Sequence, residues 1–388
     1  MAIGKGAYLE EITSGLRIPS RTIQREFEGS SPPSVFVGRW NYPRVLAGPL
    51  IATLHGDTRI MDTPESWIPA KTTQEEIIGY RLGLVRGMRP IAVDDMESRF
   101  SEQLREIALA SSSIESEASF DRAPQGRTFS DDHLPFGPSA TLERLDLENP
   151  RWDPDLERVY YDTDLGAAAG VMELYHQGVP FSSIQKAFSV GGVGARRARR
   201  LVPTRWSITA CDSTIGNSLL EKVKTNPILD TVRVYEYDSL HNHYAVLLFP
   251  TAWQYEWTEA FLHILGREEM VFSDYEGHRG KAAYSSVGGC YYSCRMALLE
   301  ALHREQIQAG AIVLREAYQG YVPLGVFNVR ENVRNALLQQ PREFETVQSA
   351  LSSIAGRINL PIERFIEEGS LLKDLCRGGQ TTLKHFGL

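Results

Sequence analysis

Residues 231–250 read TVRVYEYDSLHNHYAVLLFP, two short apolar runs on either side of six polar or turn-forming positions. Thr231–Tyr237 and Tyr244–Pro250 carry Val, Tyr and Leu at the density that suits a pleated, half-buried surface, and each predicts a strand. Between them Leu240, His241, Asn242 and His243 predict a solvated hairpin turn. Upstream, Trp206–Ala210 is a third short run of the same kind. Downstream, Trp253–Leu265 and Tyr291–Ala309 predict amphipathic helices. Ala311–Arg315 predicts a buried strand, Val322–Val329 another strand, and Glu331–Gln340 a helix. Strands and helices that follow one another without strict alternation predict an α+β (mixed α/β) fold. It would be an irregular mixed sheet with flanking helices, plus a flexible C-terminal tail.

Toward the N-terminus, residues 31–50 (SPPSVFVGRWNYPRVLAGPL) predict an irregular loop around a short strand, Val35–Gly38. Residues 71–86 predict a helix capped by Thr72 or Thr73, and Ser101–Ser119 a helix that fades into a polar run. Asp121–Pro154 is dominated by Asp, Gly, Pro and Ser and predicts a long surface excursion. Helices are expected over Leu165–Gln177, Ser182–Phe188 and Ile362–Leu375, the last ended by Arg377-Gly378-Gly379.

The 388 residues are enough for two or three structural units, and 42% apolar with 23% charged residues is an ordinary globular composition. Cys211, Cys290, Cys294 and Cys376 are too scattered for a disulfide framework and fit a reducing interior. The first ten residues lack the pattern of a signal peptide, and no apolar run approaches the ~20 residues a membrane span needs. A cytoplasmic protein without a membrane role is expected. Its net charge of −8 means that any nucleic-acid contact must come from a local basic patch on an acidic body.

The chain ends Gln380-Thr381-Thr382-Leu383-Lys384-His385-Phe386-Gly387-Leu388. A Gln, an aliphatic residue three positions on and an aromatic three further is the spacing of one 3₁₀ turn followed by an anchor. Leu383 and Phe386 would project to one side as an apolar plug, with Gln380 hydrogen-bonding at the rim. The tail resembles the PCNA-interacting peptide, Gln-x-x-aliphatic-x-x-aromatic-aromatic. It matches at Gln380, Leu383 and Phe386 and departs at Gly387, where a second aromatic is usual.

Residues 189–209 read SVGGVGARRARRLVPTRWSIT. Gly191, Gly192 and Gly194 permit close backbone approach, and Ala195–Leu201 predicts a helix start carrying Arg196, Arg197, Arg199 and Arg200. Free N–H groups at such a start, with four guanidiniums, suit phosphate. Arg205 adds a cation and Trp206 a stacking surface. A solvated charged helix is the bland alternative. There is no Walker loop and no Rossmann fingerprint in βαβ context.

Other chemistry is less organised. Cys290 and Cys294, with His278 and His303, would be an unusual zinc set, and core packing is expected instead, so no metal is assigned. Ser207, Thr209, Glu316 and Glu331 are the candidate catalytic residues of a nucleotide-processing enzyme. Glu316 and Glu331 each follow an arginine, Arg315 and Arg330, and pairing with that neighbour is the ordinary alternative. A nuclease would need clustered carboxylates; Asp162, Asp164, Asp212, Asp274 and Glu276 are the candidates, joined by no motif.

SPPSVFVGRWNYPRVLAGPL, GDT at 56–58, DTPESW at 62–67, YYDTDLGAA, RRLVPTRWSITACDSTI, DYEGHRGKAAYSSVGG and AIVLREAYQGYVPLGVFNVRE, together with the tail, resemble the archaeal Nre family of DNA-repair proteins. The resemblance covers nearly the whole chain. It implies an archaeal cytoplasmic protein that acts with the sliding clamp in tolerance of DNA damage, and it carries no reaction with it. Some family members have a cysteine-bearing, zinc-finger-like N-terminus; the first cysteine here is Cys211, and the tail assigns the chain to the clamp-binding branch. An N-terminal family region is expected over 1–265 and a C-terminal one over 266–376, packed on the first, with the clamp-binding tail at 377–388. Two functions then compete. One is a repair adaptor recruited by PCNA whose Gly191–Arg205 region touches the phosphate of DNA. The other is an enzyme that processes a nucleotide or dinucleotide such as NAD or ADP-ribose.

Overall fold

A computed structural model describes residues 23–126, 128–130, 133–264 and 269–377. The chain divides into two compact units that part at Ile215/Gly216. The fold is α+β, with six-stranded mixed sheets in both units. Among the described residues no helix is long and apolar enough to cross a membrane. The clamp-like residues Gln380, Leu383 and Phe386 lie outside the described residues.

In the first unit the strands are β1 (Glu26–Ser31), β2 (Val35–Val37), β3 (Arg44–Ala52), β4 (Leu84–Ala92), β5 (Ile114–Phe120), β6 (Thr128–Ser130), β7 (His133–Phe136) and β8 (Ser139–Leu147). The large sheet runs β1-β5-β8-β4-β3-β2, and β6 pairs with β7. The helix Arg99–Ala108 lays Phe100, Leu104 and Ile107 on Val45, Ile51 and Val85 of the sheet, and Ser98 caps its start. The helix Gln74–Leu82 begins with a capping box: Thr73 accepts from the Glu76 N–H while Glu76 returns to the Thr73 N–H.

Several expectations fail in this unit: residues 44–50 of the expected loop belong to β3, and the helix expected over 71–86 ends at Leu82, before β4 begins at Leu84. Ser101–Ser119 is a helix to Ala108 and then β5, because the polar run after the helix is a half-buried strand. The 121–154 excursion contains β8, which sits inside the sheet between β5 and β4. Its buried positions Ala140, Leu142 and Leu145 change parity, which hides the strand period of two. The change coincides with a register shift against Ser119/Phe120 of β5. Trp206–Ala210 lies in the helix Thr204–Val223 and not in a strand; a short apolar run does not distinguish the two, and Pro203 just before it suits a helix start.

In the second unit the strands are β9 (Val232–Ser239), β10 (Asn242–Phe249), β11 (Gln254–Leu262), β12 (Glu269–Glu276), β13 (Gly310–Ala317) and β14 (Arg342–Phe344), in the order β12-β11-β13-β10-β9-β14. The quoted stretch is the β9–β10 hairpin, turning at Leu240 and His241, both with positive φ. Only these two form the turn, since Asn242 and His243 are already buried in β10. One face of the sheet (Ala245, Leu247, Ala260, Ile312, Leu314) packs on Ala350, Ile354, Phe365 and Leu372 of the helices Val347–Ala355, Ile362–Glu368 and Leu371–Arg377. The helices Gly289–Glu305 and Phe327–Ala336 also pack on the sheet, the first against β11 and the second against β9 and β10.

Gln254–Leu262, within the helix expected over Trp253–Leu265, is therefore strand β11. Nearly all its residues are buried, so neither face shows a polar alternation. Val322–Val329 is not a strand, and its end opens the helix Phe327–Ala336. Ile362–Leu375 is two helices broken at Gly369-Ser370, where the buried Glu256 carboxylate accepts from the N–H groups of Ser370, Leu371 and Leu372.

His243 illustrates how this unit tolerates buried charge. Its Nδ1 lies 2.8 Å from Asp238 Oδ1 and its Nε2 3.5 Å from Glu236 Oε1. Burial would lower its pKa, but the two carboxylates outweigh it and push the value up to about 9. A raised folded-state pKa means stability that is complete below the unfolded value of 6.5 and is lost as pH rises through about 9. Urea unfolding of wild type and His243→Gln between pH 6 and 10 checks this. The variant should lose the alkaline decline, and an unchanged slope would show that the His243 pair does not cause it.

Candidate nucleic-acid interface

The basic segment is positioned by a buried carboxylate. Asp62 takes hydrogen bonds from Ser34 and from Arg81 of the helix Gln74–Leu82. Lys186 of the helix Phe181–Ser189 lies 3.1 Å from its Oδ2 and donates to its carbonyl at 2.8 Å. Burial would raise the Asp62 pKa, but Arg81 and Lys186 hold it below the usual carboxylate range.

The helix Phe181–Ser189 then reverses. Gly191 has φ +69°, and a Cβ there would lie 3.0 Å from the Arg200 carbonyl oxygen; Gly194 has φ +113°. Val202 N–H donates to Ser189 O at 2.8 Å, and Ser189 Oγ donates back to Val202 O at 2.6 Å. The chain between is a loop tied at its base. Gly191, Gly192 and Gly194 are buried, and the close approach they permit is to the chain itself.

Ala195–Leu201 does not start a helix. It holds one 3₁₀ turn, Arg196–Ala198, and the N–H groups of Ala198 and Arg199 bond back to Ala195 and Arg196. The α-helix begins at Thr204, where Trp206 and Ser207 N–H both use Pro203 O. The arginines divide by role. Arg199 braces the loop: Nε donates to Gly194 O at 2.6 Å, Nη2 to Tyr160 O at 2.7 Å, and the guanidinium sits 4.7 Å from the Tyr160 ring. Arg196, Arg197 and Arg200 are exposed and form no ion pair among the described residues. Arg205 is half-buried and Trp206 exposed on the first turn of the helix.

The fold adds residues that the sequence reading left in a loop. Val37 N–H donates to Thr204 Oγ1 at 2.9 Å, Val93 N–H to Pro43 O at 2.9 Å, and Leu201 N–H to Val93 O at 2.7 Å. These bonds set the turn 38–43 beside the start of the long helix, with Tyr42 and Trp206 centroids 5.1 Å apart. Trp40 is 73% exposed, with the Arg39 guanidinium 4.9 Å from its ring centroid. The signal was RWNYPR, two aromatic rings flanked by cations in a short turn.

The catalytic candidates are held in structural bonds. Ser207 is buried, with its hydroxyl on Thr204 O, and Thr209 Oγ1 reaches Arg205 O, both within the helix. Glu316 accepts from Tyr318 Oη at 2.6 Å, Asn359 N at 2.9 Å and Leu360 N at 2.7 Å. Glu331 pairs with Arg334 at 2.9 Å. The expected pairing of neighbours fails for Arg315–Glu316, because adjacent residues of a strand face opposite sides. Arg315 instead reaches Glu259 at 2.8 Å and Asn242 at 2.7 Å.

The nuclease candidates Asp162, Asp274 and Glu276 are likewise held in local bonds. Asp274 binds Lys281, Ser285 and Ser286, while Glu276 accepts from Trp253, Tyr291 and Arg295. Asp162 caps the N–H groups of Asp164 and Leu165. Among the described residues no three His, Cys, Asp or Glu side chains come together as a metal site.

Two family models match the chain: archaeal Nre, N-terminal, over residues 6–264, and archaeal Nre, C-terminal, over 276–386. The chain is 40% identical over 375 residues to the DNA repair protein NreB of Archaeoglobus fulgidus, covering 95% of this chain and 94% of that one. It is 34% identical to the same organism's DNA repair protein NreA, covering 91% and 88%. Against the DNA repair protein NreA of Haloferax volcanii it is 31% identical, covering 89% and 88%. No solved structure matches.

The division among the arginines predicts a division in stability. Arg199→Ala should cost about 1.5–3 kcal/mol, the range for hydrogen bonds of charged groups, while Arg196→Ala, Arg197→Ala and Arg200→Ala should each stay within about 0.5 kcal/mol. Asp62→Asn should cost about 3–5 kcal/mol by stranding buried cations. Because the folded Asp62 pKa is depressed below 3.8, its contribution is full above that value and is lost as pH falls through the folded pKa; the Asn variant should lack this acid limb. Urea unfolding across pH measures all five proteins, and equal losses at Arg199 and Arg196 would contradict the bracing role.

Proposed function

Given that the chain belongs to the archaeal Nre family, we propose that it is a DNA-repair protein that touches DNA phosphate through Arg196, Arg197 and Arg200 and reaches its substrate through the PCNA sliding clamp. The observation that carries the phosphate contact is the set of three exposed guanidiniums on a braced loop, with no carboxylate partner among the described residues. On a chain of net charge −8, unneutralised arginines grouped at one place are the local patch that a polyanion requires. Arg205 and Trp206 extend the patch onto the adjoining helix. The clamp contact rests on Gln380, Leu383 and Phe386 in the tail, which carry the spacing of a clamp-binding peptide.

Binding of a DNA oligonucleotide should be titrated at several salt concentrations in wild type and in a variant with Arg196, Arg197 and Arg200 all changed to Ala. Each lost phosphate contact removes about one unit from the slope of log K against log salt, so the slope should fall by about 2–3. NAD, ADP-ribose and ATP are titrated in parallel. A mononucleotide that saturates through the same arginines and displaces DNA would replace this proposal with a nucleotide-processing one. Separately, changing Leu383 and Phe386 to Ala should abolish co-elution with the clamp, and unchanged co-elution would remove the tail's role.

A further inference from the structure

The first unit exposes an aromatic group that its own folding does not use. Trp40 is 73% exposed, Tyr42 43% and Trp206 45%. Large rings left partly in water forgo some burial free energy, and exposed rings grouped at one place on a surface, unlike scattered single ones, mark an interaction site. The backbone bonds from Val37 to Thr204, from Val93 to Pro43 and from Leu201 to Val93 fix the two loops that carry them. Tyr42 and Trp206 meet at 5.1 Å with planes inclined by 50°, an open wedge rather than a closed stack. Cations border the rings: Arg39 lies over Trp40, and Arg44, which follows Tyr42 by two residues, is exposed and forms no ion pair among the described residues.

We propose that Trp40, Tyr42 and Trp206 are a stacking platform for the bases of single-stranded DNA, whose phosphates run along Arg44 and the Arg196–Arg200 loop. This rests on the phosphate contact proposed above and names its substrate class. The chemistry favours an unpaired strand. A ring can stack only on a base face that is free, and in a duplex both faces of every internal base are covered by neighbours. Rings bordered by guanidiniums suit a chain that repeats an apolar plate and an anion along its length. A protein partner would be served by the rings, but it would not call for the exposed Arg44, Arg196, Arg197 and Arg200, which form no ion pair among the described residues. Asp94, Asp95 and Glu97 are exposed just after Val93, which bonds to both Pro43 and Leu201, so the strand must pass clear of these three carboxylates.

Three probes separate the contributions: an oligo-dT of about 12 nucleotides, an abasic strand with the same number of phosphates, and a duplex of the same length. Wild type should bind oligo-dT about tenfold or more tighter than the abasic strand, since each stacked base contributes measurably. Trp40→Ala and Trp206→Ala should each lower oligo-dT affinity about fivefold or more and leave abasic binding unchanged. Trp40→Phe, which keeps a ring, should recover most of the loss. Trp40 is exposed, so its replacement leaves the fold intact, and urea unfolding confirms it.

Equal affinity for oligo-dT and the abasic strand, or Trp variants that bind oligo-dT like wild type, would overturn the platform. In that case retention of salt-dependent binding that needs Arg196, Arg197 and Arg200 would leave the phosphate contact standing. Duplex bound more tightly than oligo-dT would also overturn the platform. Absence of binding to all three probes would overturn both readings.

Discussion

The surface of the first unit depends on one largely buried carboxylate. Asp62 draws in Arg81 and Lys186 from two helices and Ser34 from the start of β2. Its desolvation is tolerated because both cations reach it. Lys186 sits in the helix whose end becomes the glycine reversal, and β2 leads into the turn that bears Trp40 and Tyr42. Exposed rings and exposed arginines thus grow out of elements pinned at the same buried point. A site made of surface side chains can be definite in geometry when its roots are this deep.

The second unit uses arginine in the opposite way. Arg315 is fully enclosed in a row across three strands, with Tyr244 on β10 and Glu259 on β11 in register beside it, and the Tyr321 ring 4.9 Å from its guanidinium. Arg295 is buried on Glu276 at 2.7 Å and reaches Asn217 at 3.0 Å. Such pairs add modest net stability, since desolvation cancels much of the attraction, but they penalise any arrangement that separates them. Within the same unit Tyr244 Oη and Trp257 Nε1 are buried with no hydrogen-bond partner among the described residues, a cost that the packing around them has to offset.

What the sequence disclosed follows from which rules stay local. The β9–β10 hairpin was legible because its turn residues and its apolar runs agree within twenty residues. The cap at Thr73 was legible for the same reason. β11 was not, since a strand buried on both faces loses the alternation that distinguishes it from a helix, and β8 was hidden by its bulge. Within the site, the charge of Arg196–Arg200 could be read but its division could not. Arg199 and Arg200 are equivalent in sequence; only the position of Tyr160 and Gly194 makes one a brace and leaves the other in water. Glu316 was picked for its neighbour in sequence, but a strand places that neighbour on the other face.

The modest size of the basic face bears on how such a protein could act at all. Three arginines and a few rings on an acidic chain would give DNA affinity of the non-specific kind, with Kd on the order of 10⁻⁴–10⁻⁶ M at physiological salt. Alone, that is too weak to find rare damaged sites. A tail held by a clamp already on DNA changes the arithmetic, because tethering raises the effective concentration to the order of mM, above such a Kd. The face then needs no more affinity than it has, and a stronger one would be a disadvantage, since it would hold the protein on intact DNA. On the proposed reading, an acidic chain with a small basic face and a clamp-binding tail would have the charge distribution this division of labour asks for: the tail would decide where, and the arginine face would act only once there.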